Sequence, residues 1–103
     1  MKFKAGDIVR IKTIAEHEAN GNFVSADSAI ALWQNRMCFV EKVVGNYGYR
    51  LLFADPSQNN ELWENTRTVN DFIWREDNLD SDCAEELDKT IATTEFEKMI
   101  GEN

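Results

Sequence analysis

This sequence is poor in the residues that do chemistry or break chains: one proline, one histidine and two cysteines among 103 residues. Two cysteines do not make a disulfide scaffold in a chain long enough to bury its own core, so packing has to hold the fold. Cys38 and Cys83 also lack the C-x-x-C spacing and the companion histidines of a zinc site, so no metal is expected. His17 lies between Glu16 and Glu18 in a polar stretch and reads as a solvated loop residue, not an acid/base or metal centre. There is no G-x-S-x-G, no phosphate-binding loop and no dinucleotide-binding glycine pattern, and neither an enzyme nor a cofactor is expected. No apolar run approaches the ~20 residues that cross a bilayer. The opening Met1-Lys2-Phe3-Lys4-Ala5-Gly6-Asp7 is basic without an apolar h-region, so no signal peptide is expected either. These absences lead to the expectation of a small soluble protein in a reducing cytoplasm.

Positive charge is also scarce, and its placement is informative. The net charge is −8. Residues 1–75 balance nine Lys/Arg against nine Asp/Glu, while residues 76–103 carry ten acids and only Lys89 and Lys98. A neutral body therefore bears an acidic C-terminal segment. A protein that held duplex DNA by neutralising phosphates would show the opposite balance, so nucleic-acid binding starts at a disadvantage.

What is present reads as mainly β. Val9 and Ile11 alternate with Arg10 and Lys12 after the Ala5-Gly6-Asp7 turn, the period of a half-buried strand. Residues 13–36 form a long connection, polar and loose at 16–22. Within it Ser25 or Asp27 is placed to cap a short helix whose stripe is Ala26, Ile30 and Trp33. Residues 37–44 form the second strand, with Cys38 and Val40 on one face and Phe39 and Glu41 on the other; Cys38 reads as a small buried hydrophobe. Gly45-Asn46-Tyr47-Gly48 is a hairpin turn, and the third strand follows with Tyr49, Leu51 and Phe53 inward. A polar loop over 54–70 is interrupted by Leu62-Trp63. Phe72-Ile73-Trp74 reads as a fourth strand, and 75–79 as one 3₁₀-like step. The tail carries D-x-x-E capping signatures at Asp82 and a second at Thr94, which predicts an acidic α-helical segment over 80–103.

The segments Phe3-Lys4-Ala5-Gly6-Asp7-Ile8-Val9-Arg10-Ile11, Asn35-Arg36-Met37-Cys38-Phe39-Val40-Glu41-Lys42-Val43 and Tyr49-Arg50-Leu51 resemble small SH3-like barrel proteins of phages and prophages. They also resemble the repeats of mind bomb-type SH3 domains. In that pattern a K-x-G-D-x-V-R-I opening, a helical connection and a G-K-x-A-T-I-x-K-V strand precede a Y-x-L strand and a closing W-x-x-E-x-L. Trp74-Arg75-Glu76-Asp77-Asn78-Leu79 matches the close with one more residue before the leucine. Asn35-Arg36 stands where the pattern has Gly-Lys. The resemblance covers residues 3–79, implies an SH3-like small β-barrel over 1–79 and leaves the tail unexplained; the acidic helical segment over 80–103, read from its own capping signatures, is expected to pack on the same domain.

Eleven aromatic residues form the main functional lead. Barrels of this kind dock peptides on exposed loop aromatics. The candidates for partner binding are Trp63, Tyr47, Trp33 and Tyr49, with Phe23 beside them. Tyr49 and Trp74 fall at inward strand positions, and Trp33 is placed to staple the connecting helix to the barrel. Trp63 and Tyr47 lie in a polar loop and a turn. The second lead is the acidic surface of Asp82, Glu85, Glu86, Asp88, Glu95 and Glu97, which can steer a basic partner. The expected function is a non-enzymatic protein-interaction module, a phage or prophage accessory protein if the resemblance holds. Two alternatives stand beside it: an acidic-tail inhibitor imitating nucleic acid against a host DNA- or RNA-handling protein, and nucleic-acid binding through Lys2, Lys4, Arg10, Lys12 and Arg50. A protein partner is expected, a membrane is not, and self-association stays open.

Overall fold

A computed structural model describes residues 2–81. The expected tail helix, its acidic surface and Cys83 lie outside the described residues. Among the described residues four strands make one antiparallel sheet in the order β3-β2-β1-β4: β1 (Ile8–Ile11), β2 (Met37–Val44), β3 (Gly48–Phe53) and β4 (Leu79–Asp80). None of the described helices is long and apolar enough to cross a membrane.

Alternation decides what the sheet buries. Val9, Ile11, Cys38, Val40, Tyr49, Leu51 and Phe53 are fully covered and form one core with Trp33, Val69, Trp74 and Leu79. β2 carries one extra residue: Val40 pairs with Leu51 but Lys42 with Arg50, so Glu41 is bulged out. The bulge resets the alternation and brings Val43 back to the core face, opposite Tyr49. On the sheet's other face Ile8 and Phe39 make a small second cluster under Met37 and Ala54.

The first connection is more ordered than its polar sequence suggests. α1 (Ile14–Ala19) starts at a reciprocal cap, in which the Thr13 hydroxyl accepts from Glu16 N and the Glu16 carboxylate accepts from Thr13 N. This cap was not read from the sequence because no apolar run follows it. The expectation that 16–22 is loose and His17 solvated is overturned, since His17 is only 3% exposed. Its Nδ1 lies 2.9 Å from the Thr13 carbonyl and its Nε2 3.3 Å from the Asn78 amide nitrogen. A carbonyl only accepts, so the Nδ1–H tautomer satisfies both partners. α2 (Ala29–Trp33) is present, but its cap is Ser28, whose Oγ accepts from Ala31 N, not Ser25 or Asp27. Ala26 is accordingly exposed outside the helix.

The fourth strand lies later than the sequence suggests. Trp74 makes only a two-bond bridge to Tyr49, each backbone N–H donating to the other's carbonyl at 2.8 Å. The chain then turns through a 3₁₀ step at Glu76–Asn78, and Leu79 and Asp80 pair with Ile11 and Arg10. Asp80 therefore belongs to the sheet. The outer edge of β3 is met by side-chain amides: Asn59 Oδ1 accepts from Phe53 N at 2.7 Å, and Asn70 Nδ2 donates to Leu51 O at 3.0 Å. Such plugs occupy edge groups that would otherwise template another strand.

Candidate functional site

The aromatic candidates separate cleanly. Trp33 and Tyr49 are fully buried, which removes both from any exposed patch. Trp33 is delivered inward by α2 and meets Phe53, Phe72 and Trp74 at ring-centroid distances of 5.8, 5.9 and 6.3 Å. Tyr49 sits at an inward position of β3; its hydroxyl accepts from Phe3 N at 3.0 Å and donates to Glu76 Oε2 at 2.8 Å. Burial pushes this phenol up. Glu76 is held below the usual carboxylate range, first by the Lys2 backbone N–H at 2.6 Å and then by the Tyr49 hydroxyl. Tyr49 thus fastens the N-terminal segment to the 3₁₀ turn.

Phe23, at 87% exposure, and Tyr47, at 58%, do face solvent. Tyr47 stands at the hairpin end beside Arg75, Glu76 and Asp77, over a polar depression of about 270 Å³.

Trp63 is the aromatic that is both fixed and accessible. One side of its ring packs edge-on against Phe72 at 5.6 Å, and its indole N–H donates to the Asp27 carbonyl at 2.9 Å. Its backbone opens a tight turn: Trp63 N donates to Arg67 O at 2.7 Å and Thr66 N donates to Trp63 O at 3.0 Å. The two central residues of that turn, Glu64 and Asn65, have φ of 50° and 61°. Positive φ at both centres defines the I′ geometry, in which Asn is at ease and Glu is not. Between this turn and the start of α2 lies an open depression of about 450 Å³, walled by Asp27, Ala31, Leu32, Leu62, Trp63 and Glu64. Leu32 and Leu62 stay 42% and 46% exposed on its rim. Sequence reasoning found Trp63 but missed Leu32, Asp27 and Glu64. Leu62-Trp63 breaking a polar loop was the available signal; nothing local says that 27–32 folds against it.

The basic residues proposed for nucleic acid are largely occupied. Arg10 pairs with Glu16 and with Asp80, both at 2.7 Å, and its guanidinium is driven further up by the Glu16 hydrogen bond despite burial. Lys4 pairs with Asp7 at 3.2 Å, and Arg50 donates to the Asn70 carbonyl at 3.0 Å. No group of three or more His, Cys, Asp and Glu among the described residues is arranged to hold a metal ion. Compared with protein-family models, with curated proteins and with solved structures, the chain matches none.

Proposed function

We propose that this chain is a non-enzymatic protein-interaction module on an SH3-like barrel, docking a partner segment against Leu32, Leu62 and Trp63. The barrel reading is supported by the order β3-β2-β1-β4 together with the Tyr49–Trp74 bridge. A chain that bridges one sheet edge at Trp74, makes a 3₁₀ turn and returns at Leu79 to the opposite edge curls the sheet towards closure. The docking reading rests on one observation: a half-buried Trp63, immobilised by Phe72 and Asp27, flanked by two leucines with much of their surface in water. A preordered aromatic beside exposed apolar groups gains contact area without losing much side-chain freedom on binding. Tyr47 lies over the separate polar depression and is not required by this reading.

The test is recovery of binding proteins on the immobilised full chain from nuclease-treated bacterial lysate. The double variant Leu32→Ser, Leu62→Ser is expected to lose them while melting like the parent, and Tyr47→Ala is expected to retain them. Recovery of the same proteins by the double variant would rule the groove out.

A further inference from the structure

We infer that the segment seated between α2 and the 62–65 turn is basic as well as apolar: a peptide placing an Arg or Lys next to a large aliphatic side chain. This rests on the docking reading and adds the partner's charge. The ion pairs of the described residues engage Asp7, Glu16, Asp80 and Glu61. Asp27 and Glu64, the two carboxylates walling the depression, have no side-chain hydrogen bond or ion pair among the described residues. The cations nearest in sequence are used elsewhere: Arg36 is paired with Glu61 at 2.7 Å, and Arg67 lies over the Phe72 ring at 5.5 Å. Two carboxylates without an ion pair among the described residues thus border an apolar floor, a surface complementary to a segment that sets a cation beside an aliphatic side chain.

Glu64 sharpens the point. It occupies a left-handed position, φ 50°, where glycine or asparagine would sit with less strain. Folding alone would be better served by either residue. An acidic or self-complementary occupant would instead meet repulsion from Asp27 and Glu64.

The experiment is selection of a displayed library of short random peptides on the full chain, followed by affinity measurement of the winners. Peptides that need Leu32 and Leu62 are expected to be enriched in Arg or Lys beside Leu, Ile or Val. Asp27→Asn with Glu64→Gln should then weaken them by about tenfold, taken as roughly one factor of a few per rim charge. Added salt should erode parent binding far more than binding by that double variant. Glu64→Gly should melt higher than the parent while binding less well. Groove-dependent peptides without a basic preference, or with affinity untouched by the charge variants, would overturn this inference and leave the docking reading standing. If no enriched peptide depends on Leu32 and Leu62, both fall. A salt-insensitive dimer dissolved by Leu62→Ser would make a second copy the occupant and overturn the basic-peptide assignment.

Discussion

The segment around α1 and the segment 54–74 both look like polar connections in sequence, yet they are fastened to the sheet by different physics. Near α1 the fastening is ionic and hydrogen-bonded. Arg10 reaches Glu16 through two nitrogens at 2.8 and 2.7 Å and Asp80 at 2.7 Å, and His17 bridges Thr13 to Asn78. Along 54–74 the fastening is aromatic, with Val69, Phe72 and Trp74 packed on Trp33 and Trp63. The lesson is about response. The first anchor is built to feel pH and ionic strength; the second holds the Arg36–Glu61 pair and the Asn59 and Asn70 hydrogen bonds as well, but its bulk is aromatic and feels lost volume first.

The comparison is broken most severely from the aromatic side. Trp33→Ala empties the centre of that cluster and should cost about 3–5 kcal/mol, a large share of the stability of a domain this size. The loss, read from urea midpoints, should be the same at low and high salt. A strongly salt-dependent loss would mean that the two anchors are not distinct.

Arg10→Ala comes next. It leaves Glu16 and Asp80 facing each other across a partly covered seam, and about 2 kcal/mol is expected from the lost charged hydrogen bonds. Here added salt should narrow the gap between parent and variant. A gap unchanged by salt would recast Arg10 as a packing residue whose stem matters more than its charge.

A smaller effect has a definite pH signature. The Glu16 carboxyl is held well below the ordinary glutamate range, chiefly by the Arg10 guanidinium and then by the Thr13 backbone N–H. A group whose folded pKa is depressed adds stability above its unfolded pKa and loses it as pH falls towards the folded value. Parent and Glu16→Gln should therefore differ fully at neutral pH and converge as pH falls through and below the ordinary glutamate range. Parallel curves across that window would disconnect α1 from the ionic anchor.

The same comparison shows how much was legible in the sequence. Alternation of period two named the inward residues of β1 and β3 and the Cys38/Val40 face of β2, because a strand's side chains are sorted by geometry; the Glu41 bulge, which returns Val43 to the core, and the burial of Phe39 on the other face were not readable from it. The Glu76–Asn78 step was readable too. The α1 anchor was not, because Arg10 meets Asp80, and His17 meets Asn78, only through the return of β4 to β1; from sequence, Glu16-His17-Glu18 is simply polar. The fourth strand was misplaced because Phe72-Ile73-Trp74 has strand composition, while pairing settles on the plainer Leu79-Asp80. Of the depression between α2 and the 62–65 turn, only the Leu62-Trp63 side was visible. Its other wall comes from a helix thirty-odd residues earlier, joined to it by the indole N–H on the Asp27 carbonyl and by Phe72 packed on both Trp33 and Trp63, long-range contacts that no local pattern announces.

The smallest effect on stability belongs to the groove, and that smallness is its test. Leu62 is 46% exposed on the rim and takes no part in the buried core. Leu62→Ser should therefore shift stability by less than about 0.5 kcal/mol, the range of surface substitutions away from packing or capping features. Trp63→Ala should cost several times more, since that ring packs edge-on against Phe72 and its N–H fastens the Asp27 carbonyl. If Leu62→Ser instead destabilises the protein as Trp63→Ala does, the rim is part of the aromatic anchor, and Leu32 is left as the accessible aliphatic side chain of the depression.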